Sequence, residues 1–266
     1  MTATLSDFAK TTFRPSTGGT ERTVYRAGAG PGLVIIHEMP GLTPEVQAFA
    51  WRMVENGYTV FLPVLFGTPG KPPGGWAFAR SMAQACVSRE FHLWATDRAS
   101  PITPWLRSLA KHAHAECGGP GVGAIGMCFT GGFALGMAVD ATVVAPVLSQ
   151  PSLPFPVGAK RKAAVGCSPA EMGRVAARCE AGLCVLGMRF TGDAFVPGER
   201  FETLKKRLGE RFIAIEIPSP DDLHHIPKNA HSVVTKDYND TPGHPTRVAF
   251  DRLVRFFEER LKTNPA

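Results

Sequence analysis

The chain has no Cys-x-x-Cys pair, no apolar run approaching membrane-spanning length, no internal repeat and no long block of like charge. Its six cysteines, Cys86, Cys117, Cys128, Cys167, Cys179 and Cys184, therefore read neither as a zinc ribbon nor as a redox pair, and no histidine stands beside them at zinc-ligand spacing. A chain of 266 residues that is 44% hydrophobic can bury a sizeable core without a disulfide framework, so the expectation is a reducing, cytoplasmic setting with no metal and no cofactor. Met1-Thr2-Ala3-Thr4-Leu5-Ser6-Asp7 lacks the apolar segment of a secretory signal, and no membrane association is expected. The net charge of +6 is spread among 23 acids, and the two tight basic clusters, Lys160-Arg161-Lys162 and Lys205-Lys206-Arg207, carry no interleaved aromatics. Such clusters suit a solvated face rather than a nucleic-acid surface. A mildly basic surface would still favour an anionic small substrate.

What is present is an alternation of strand and helix patterns. Leu33-Val34-Ile35-Ile36 reads as a buried parallel strand. Thr43-Pro44-Glu45 then opens a helix, with Thr43 as N-cap, Pro44 in the first turn and Gly57 as the stop. Tyr58–Leu62 is the next strand, followed by the Pro/Gly-rich loop 67–75. Residues 76–115 read as helical with interruptions near Pro101 and Pro104. Further strands are read over residues 121–125, 141–148, 183–186 and 212–217, and helices over 133–139 and 198–208. A last helix places Phe250, Leu253, Val254, Phe257 and Leu261 on one face. This order predicts an α/β fold with a mainly parallel sheet covered on both faces. One domain over 1–266 is expected, with its core at about 30–262 and a poorly ordered N-terminal segment at 1–20.

The chemistry centres on Gly126-Met127-Cys128-Phe129-Thr130-Gly131-Gly132, between a strand and a helix. It reads as a nucleophile elbow of the Gly-x-Cys-x-Gly kind, in which glycines permit a sharp bend and the central side chain is exposed. Sulfur in place of the usual hydroxyl would attack as thiolate. On this motif alone, a small buried core cysteine explains Cys128 as well. Partners are then sought in the order acid, histidine. Asp193 follows the strand at 183–186, where a carboxylate belongs to the crevice side of the sheet, although it could also simply cap a helix. His231, preceded by a small residue and followed by an apolar stretch, is preferred over His224 and His225 in the same long loop. Glu38 ends the first strong strand beside His37. The backbone N–H groups of Met39 and Phe129 sit where hydrolases draw oxyanion donors.

With these residues in place, the chain resembles the dienelactone hydrolase (carboxymethylenebutenolidase) family of the α/β-hydrolase fold. The matching pieces are His37-Glu38-Met39-Pro40-Gly41-Leu42, Gly57-Tyr58-Thr59-Val60, the Cys128 elbow, Gly192-Asp193-Ala194-Phe195-Val196-Pro197 and Ala230-His231-Ser232. The resemblance implies a three-layer fold and a Cys128–His231–Asp193 triad. It also implies that Glu38 contacts the thiol and aids its deprotonation, and that the substrate is an enol-lactone or related ester, often carboxylated. The chain departs from the family where Ala230 replaces a glycine and Thr235 replaces a carboxylate-binding arginine; Arg80, Arg89 and Trp76 are candidate substrate contacts. The segment from Pro151 to Lys162 also looks longer than the family's compact form. An esterase or thioesterase acting on another acyl substrate, and a non-hydrolytic thiol-dependent binding or sensing module, are the alternatives. The expected partner is a small-molecule substrate, and the expected assembly is a monomer or small homo-oligomer.

Overall fold

Residues 4–72 and 100–262 are described by the structure, a computed structural model. The calls on Trp76, Arg80 and Arg89, and Cys86, lie outside the described residues. Eight strands form one sheet: β1 (Ala9–Phe13), β2 (Arg22–Ala27), β3 (Gly32–Ile36), β4 (Thr59–Pro63), β5 (Val122–Met127), β6 (Val143–Ser149), β7 (Val185–Phe190) and β8 (Phe212–Ile217). Their order across the sheet is β1-β2-β4-β3-β5-β6-β7-β8. The pairs from β4 to β8 are parallel, while β1 and β2 add two antiparallel pairings at one edge.

Seven helices accompany these strands among the described residues: α1 (Pro44–Glu55), α2 (Thr103–Cys117), α3 (Gly131–Met137), α4 (Gly158–Ala163), α5 (Pro169–Glu180), α6 (Gly198–Leu208) and α7 (Pro245–Leu261). Alternate side chains of β3 explain the layering. Leu33 and Ile35 point into a cluster with Phe49 and Met53 of α1 and Leu253 and Phe257 of α7. Val34 and Ile36 face the opposite side, against Leu106 and Leu109 of α2 and Met137 of α3. All four β3 side chains are fully buried, and each such burial contributes about 1.5–3 kcal/mol. A third cluster beneath α5 and α6 extends the second face over β7. Helices therefore cover both faces of a mainly parallel sheet, as the alternating pattern predicts.

Several elements differ from the sequence reading. The N-terminal segment expected to lack order contributes β1, paired residue for residue with β2 from Ala9↔Arg26 to Phe13↔Arg22. The edge strand β1 is short and mostly exposed, and β2 beside it is only partly buried, so neither carries a strong apolar run. The break read near Pro101 and Pro104 falls at residues 100–102, and Pro104 belongs to the helix that follows. This proline lies in the first turn of α2, where its missing N–H costs no hydrogen bond. Helices α4 and α5 were not read. For α5 the signal is present: Ser168 accepts from the Glu171 backbone N–H, Glu171 reaches back to the Ser168 backbone N–H, and Pro169 opens the first turn.

Close approach decides the tolerance of two glycines. A Cβ on Gly131 would sit 2.5 Å from the Pro151 Cα, whereas one on Gly173, exposed on α5, would meet nothing within 4 Å. Gly131→Ala should therefore destabilise the fold by about 1–3 kcal/mol. Gly173→Ala should stabilise it by about 0.5–1 kcal/mol through helix propensity. Thermal or urea denaturation of the two variants checks the opposite signs.

Candidate active site

Each candidate side chain leaves the carboxyl end of a parallel strand, where open α/β sheets present their crevice. Cys128 follows β5 in the left-handed region, at φ 53°, a conformation that non-glycine residues adopt at a cost of order 1–3 kcal/mol. Thr130 occupies the place where the elbow pattern has its second glycine, and the glycines come one residue later. No glycine is needed there, because Thr130 has φ −96°. Its hydroxyl accepts from the Met127 N–H at 3.0 Å and lies 2.9 Å from the Ile36 carbonyl oxygen, to which it donates. The bend is thereby fixed to the end of β3. Gly126 is required, since a Cβ there would lie 2.2 Å from the Thr130 carbonyl oxygen.

Asp193 leaves the loop after β7. Its Oδ1 accepts from the Phe195 N–H at 2.9 Å, and its Oδ2 meets His231 Nδ1 at 2.6 Å. The His231 loop is set by Asp237, whose Oδ2 accepts from the backbone N–H groups of His231 and Ser232, both at 2.8 Å. Arg52 of α1 donates to the Val234 carbonyl at 2.6 Å and lies over the Tyr238 ring, holding the far side of the same loop. Ala230 is accommodated in place of glycine because its φ is not positive. Burial works against the imidazolium of His231. The nearby Cys128 thiolate, the Asp193 hydrogen bond and a hydrogen bond to Cys128 outweigh it, and raise the His231 pKa well above its ordinary value. The rival histidine His224 pairs instead with Asp221 at 2.7 Å, and neither it nor His225 lines the cavity.

That cavity, of about 550 Å³, is lined by Cys128, His231, Asp193 and Glu38 together with Met39 and Phe129. The volume suits a small organic molecule. Phe155 and Phe195 add aromatic surface, and Phe195 meets the His231 ring edge to face. Among the described lining residues, Lys228 is the one lysine or arginine.

Glu38 reaches the cavity, but its carboxylate is engaged away from the thiol. It accepts from Ser232 Oγ at 2.9 Å, from Gln150 Nε2 at 3.2 Å and from Thr235 Oγ1. Burial raises its pKa against these donors and the His231 charge. Thr235, standing where the resembling family has an arginine, thus serves Glu38 and ties the His231 loop to β3. Besides His231, the Cys128 sulfur has Ser152 as a hydrogen-bond partner, with Sγ and Oγ 3.4 Å apart. Sequence reasoning missed Ser152. Its signal was position, three residues past the end of β6 at the same sheet edge. It also missed Arg200, fully buried on α6, which donates to the carbonyls of Pro151, Pro154, Arg161 and Ala164 at 2.5–3.1 Å. Burial lowers the Arg200 pKa to about 10, opposed by the Asp193 charge.

His37 is a frame residue. Its Nε2 accepts from the Leu65 N–H at 3.0 Å, so Nδ1 carries the proton and donates to the Glu38 carbonyl at 3.1 Å. Burial lowers its pKa to about 4, against that backbone bond.

The family model described as "Dienelactone hydrolase family" matches residues 22–259. No curated protein sequence matches the chain significantly. Among solved structures, a candidate dienelactone hydrolase from Klebsiella pneumoniae subsp. pneumoniae MGH 78578 is similar at 15% identity and TM-score 0.62, covering 95% of this chain and 99% of that one. The dienelactone hydrolase-like promiscuous phosphotriesterase P91 from metagenomic libraries is similar at 17% identity and TM-score 0.60, with 96% and 99% covered. Dienelactone hydrolase from Anabaena variabilis ATCC 29413 is similar at 15% identity and TM-score 0.59, again over 96% and 99%. These likenesses establish the shared α/β-hydrolase fold.

Two titrations check the electrostatics. His37 should titrate by NMR with a midpoint near 4. Because the unfolded chain protonates this residue near 6.5, it binds more protons than the folded one between those values. The stability that His37 contributes should therefore fall by on the order of 3 kcal/mol as pH drops from 6.5 through 4. His231 should remain protonated above its ordinary range, and Cys128→Ser, which removes the thiolate, should bring its midpoint down. An unmoved midpoint would mean that imidazole and thiol do not interact.

Proposed function

The chain belongs to the dienelactone hydrolase family, and from that premise we propose that it opens an enol-lactone or cleaves a related ester through a thioester on Cys128. The observation that carries this reading is the convergence of Cys128, His231 and Asp193 on one cavity, with His231 Nδ1 committed to Asp193. Nε2 is the imidazole nitrogen left to exchange a proton with sulfur.

In this reading the Cys128 thiolate attacks the ester carbonyl carbon. The oxygen that gains the electron pair is met by the backbone N–H groups of Met39 and Phe129, both at the cavity wall. Collapse breaks the bond to the leaving oxygen, which takes the proton from the His231 imidazolium. Neutral His231 then removes a proton from water, and the resulting hydroxide attacks the thioester. The acid departs, and the thiolate–imidazolium pair is restored. Asp193 keeps the tautomer and balances the imidazolium charge.

An ester with an apolar acyl group is favoured as substrate over a carboxylated lactone. Thr235 replaces the expected arginine and spends its hydroxyl on Glu38, while Phe129, Phe155 and Phe195 supply aromatic surface. A redox-sensing reading has less support. None of the other four described cysteines lines the cavity, and burial pushes the Cys167 thiol up to about 12 and the Cys179 thiol up to about 11.

The test compares wild type with Cys128→Ala on chromogenic esters and on cis- and trans-dienelactones. We expect kcat/KM to fall by roughly 10³-fold or more, with the fold intact by circular dichroism. Hydrolysis that survives in Cys128→Ala would remove the nucleophile assignment. Wild type that turns over no ester or lactone would favour a binding role.

A further inference from the structure

We propose that Ser152 is a catalytic residue that hydrogen-bonds the resting thiolate of Cys128, filling at the sulfur the place that Glu38 leaves empty. The inference rests on the reading of Cys128 as nucleophile. Three features of the structure carry it.

The first is contact. Ser152 Oγ lies 3.4 Å from Cys128 Sγ, and Ser152 is buried, with 3% of its surface exposed. A hydroxyl beside a thiol can donate or accept, but beside a thiolate it can only donate. The second is register. The Ser152 backbone N–H donates to the Cys128 carbonyl at 2.9 Å, so the two residues face each other through main chain as well as side chain. Arg200 holds the carbonyls of Pro151 and Pro154, which fixes the backbone that carries Ser152. The third is the engagement of Glu38. With Ser232, Gln150 and Thr235 on its oxygens, its carboxylate is not the thiol's hydrogen-bond partner.

The charged and titratable groups around the sulfur are few among the described residues. His231 and Lys228 come from the loop after β8, Asp193 from the loop after β7 and Glu38 from the end of β3. The charge of Arg200 is felt at Asp193 from beneath. Helix α3, which packs under the elbow, contributes none. Removing the Ser152 hydroxyl should therefore raise the pKa of the Cys128 thiol without displacing any other charge.

The experiment is the pH dependence of Cys128 alkylation by iodoacetamide, followed by intact mass, in wild type, Ser152→Ala and Ser152→Thr. In Ser152→Ala the midpoint of thiolate formation should move up by about one pH unit, and the acidic limb of kcat/KM should move with it. Ser152→Thr, which keeps the hydroxyl, should return both toward wild type. A hydroxyl that merely packs would lower activity at every pH and leave both midpoints in place, and that result overturns the proposal. Cys128→Ala keeps the two questions apart. If it retains hydrolysis, the nucleophile assignment fails. If it is inactive while the alkylation midpoint of Ser152→Ala is unchanged, only the role of Ser152 fails.

Discussion

The 2.6 Å hydrogen bond between Asp193 and His231 is the contact on which the proposed chemistry depends. It joins loops from two neighbouring strands, β7 and β8, and it commits one imidazole nitrogen so that the other is left for sulfur. Without it His231 would have two equivalent tautomers and a freer ring. The rest of the loop architecture serves to hold this pair in place. Asp237 gathers the backbone N–H groups of His231 and Ser232, Arg52 braces Val234, and the Ser219 hydroxyl receives the Gly192 N–H at 2.8 Å.

A second tier of contacts joins β3 to the elbow. Thr130 spans from Met127 to the Ile36 carbonyl, and His37 bridges the Leu65 N–H and the Glu38 carbonyl. Glu38 then crosses to the histidine loop through Ser232 and Thr235. A buried carboxyl is costly unless donors surround it, and here the donors come from separate chain segments. What the resemblance presents as an activating base acts in the resting protein as a knot between β3, the segment after β6 and the loop after β8.

The sequence was legible where a local rule has a local cause. The run at 33–36 is buried on both faces, Thr43 caps α1 by accepting from the Val46 N–H, and Cys128, Asp193 and His231 each follow a readable strand. It was less legible where position depends on partners far along the chain. The edge strand β1 and its neighbour β2 are made strands by their pairing, not by their composition. The direction of the Glu38 carboxylate depends on residues 112, 194 and 197 positions away. Ser152 sits in an irregular proline-rich stretch, where no periodicity marks which side chain faces inward.

Arg200 has a consequence of its own. A guanidinium with four of its five N–H groups committed to main-chain oxygens beneath α6 serves the backbone, and it holds the Pro151–Pro154 segment that brings Ser152 to the sulfur. Efforts to enlarge the cavity by trimming side chains at its rim would leave that backbone in place. Remodelling for bulkier molecules has to begin underneath, at a position with no solvent-accessible surface, where the backbone that carries Ser152 is anchored.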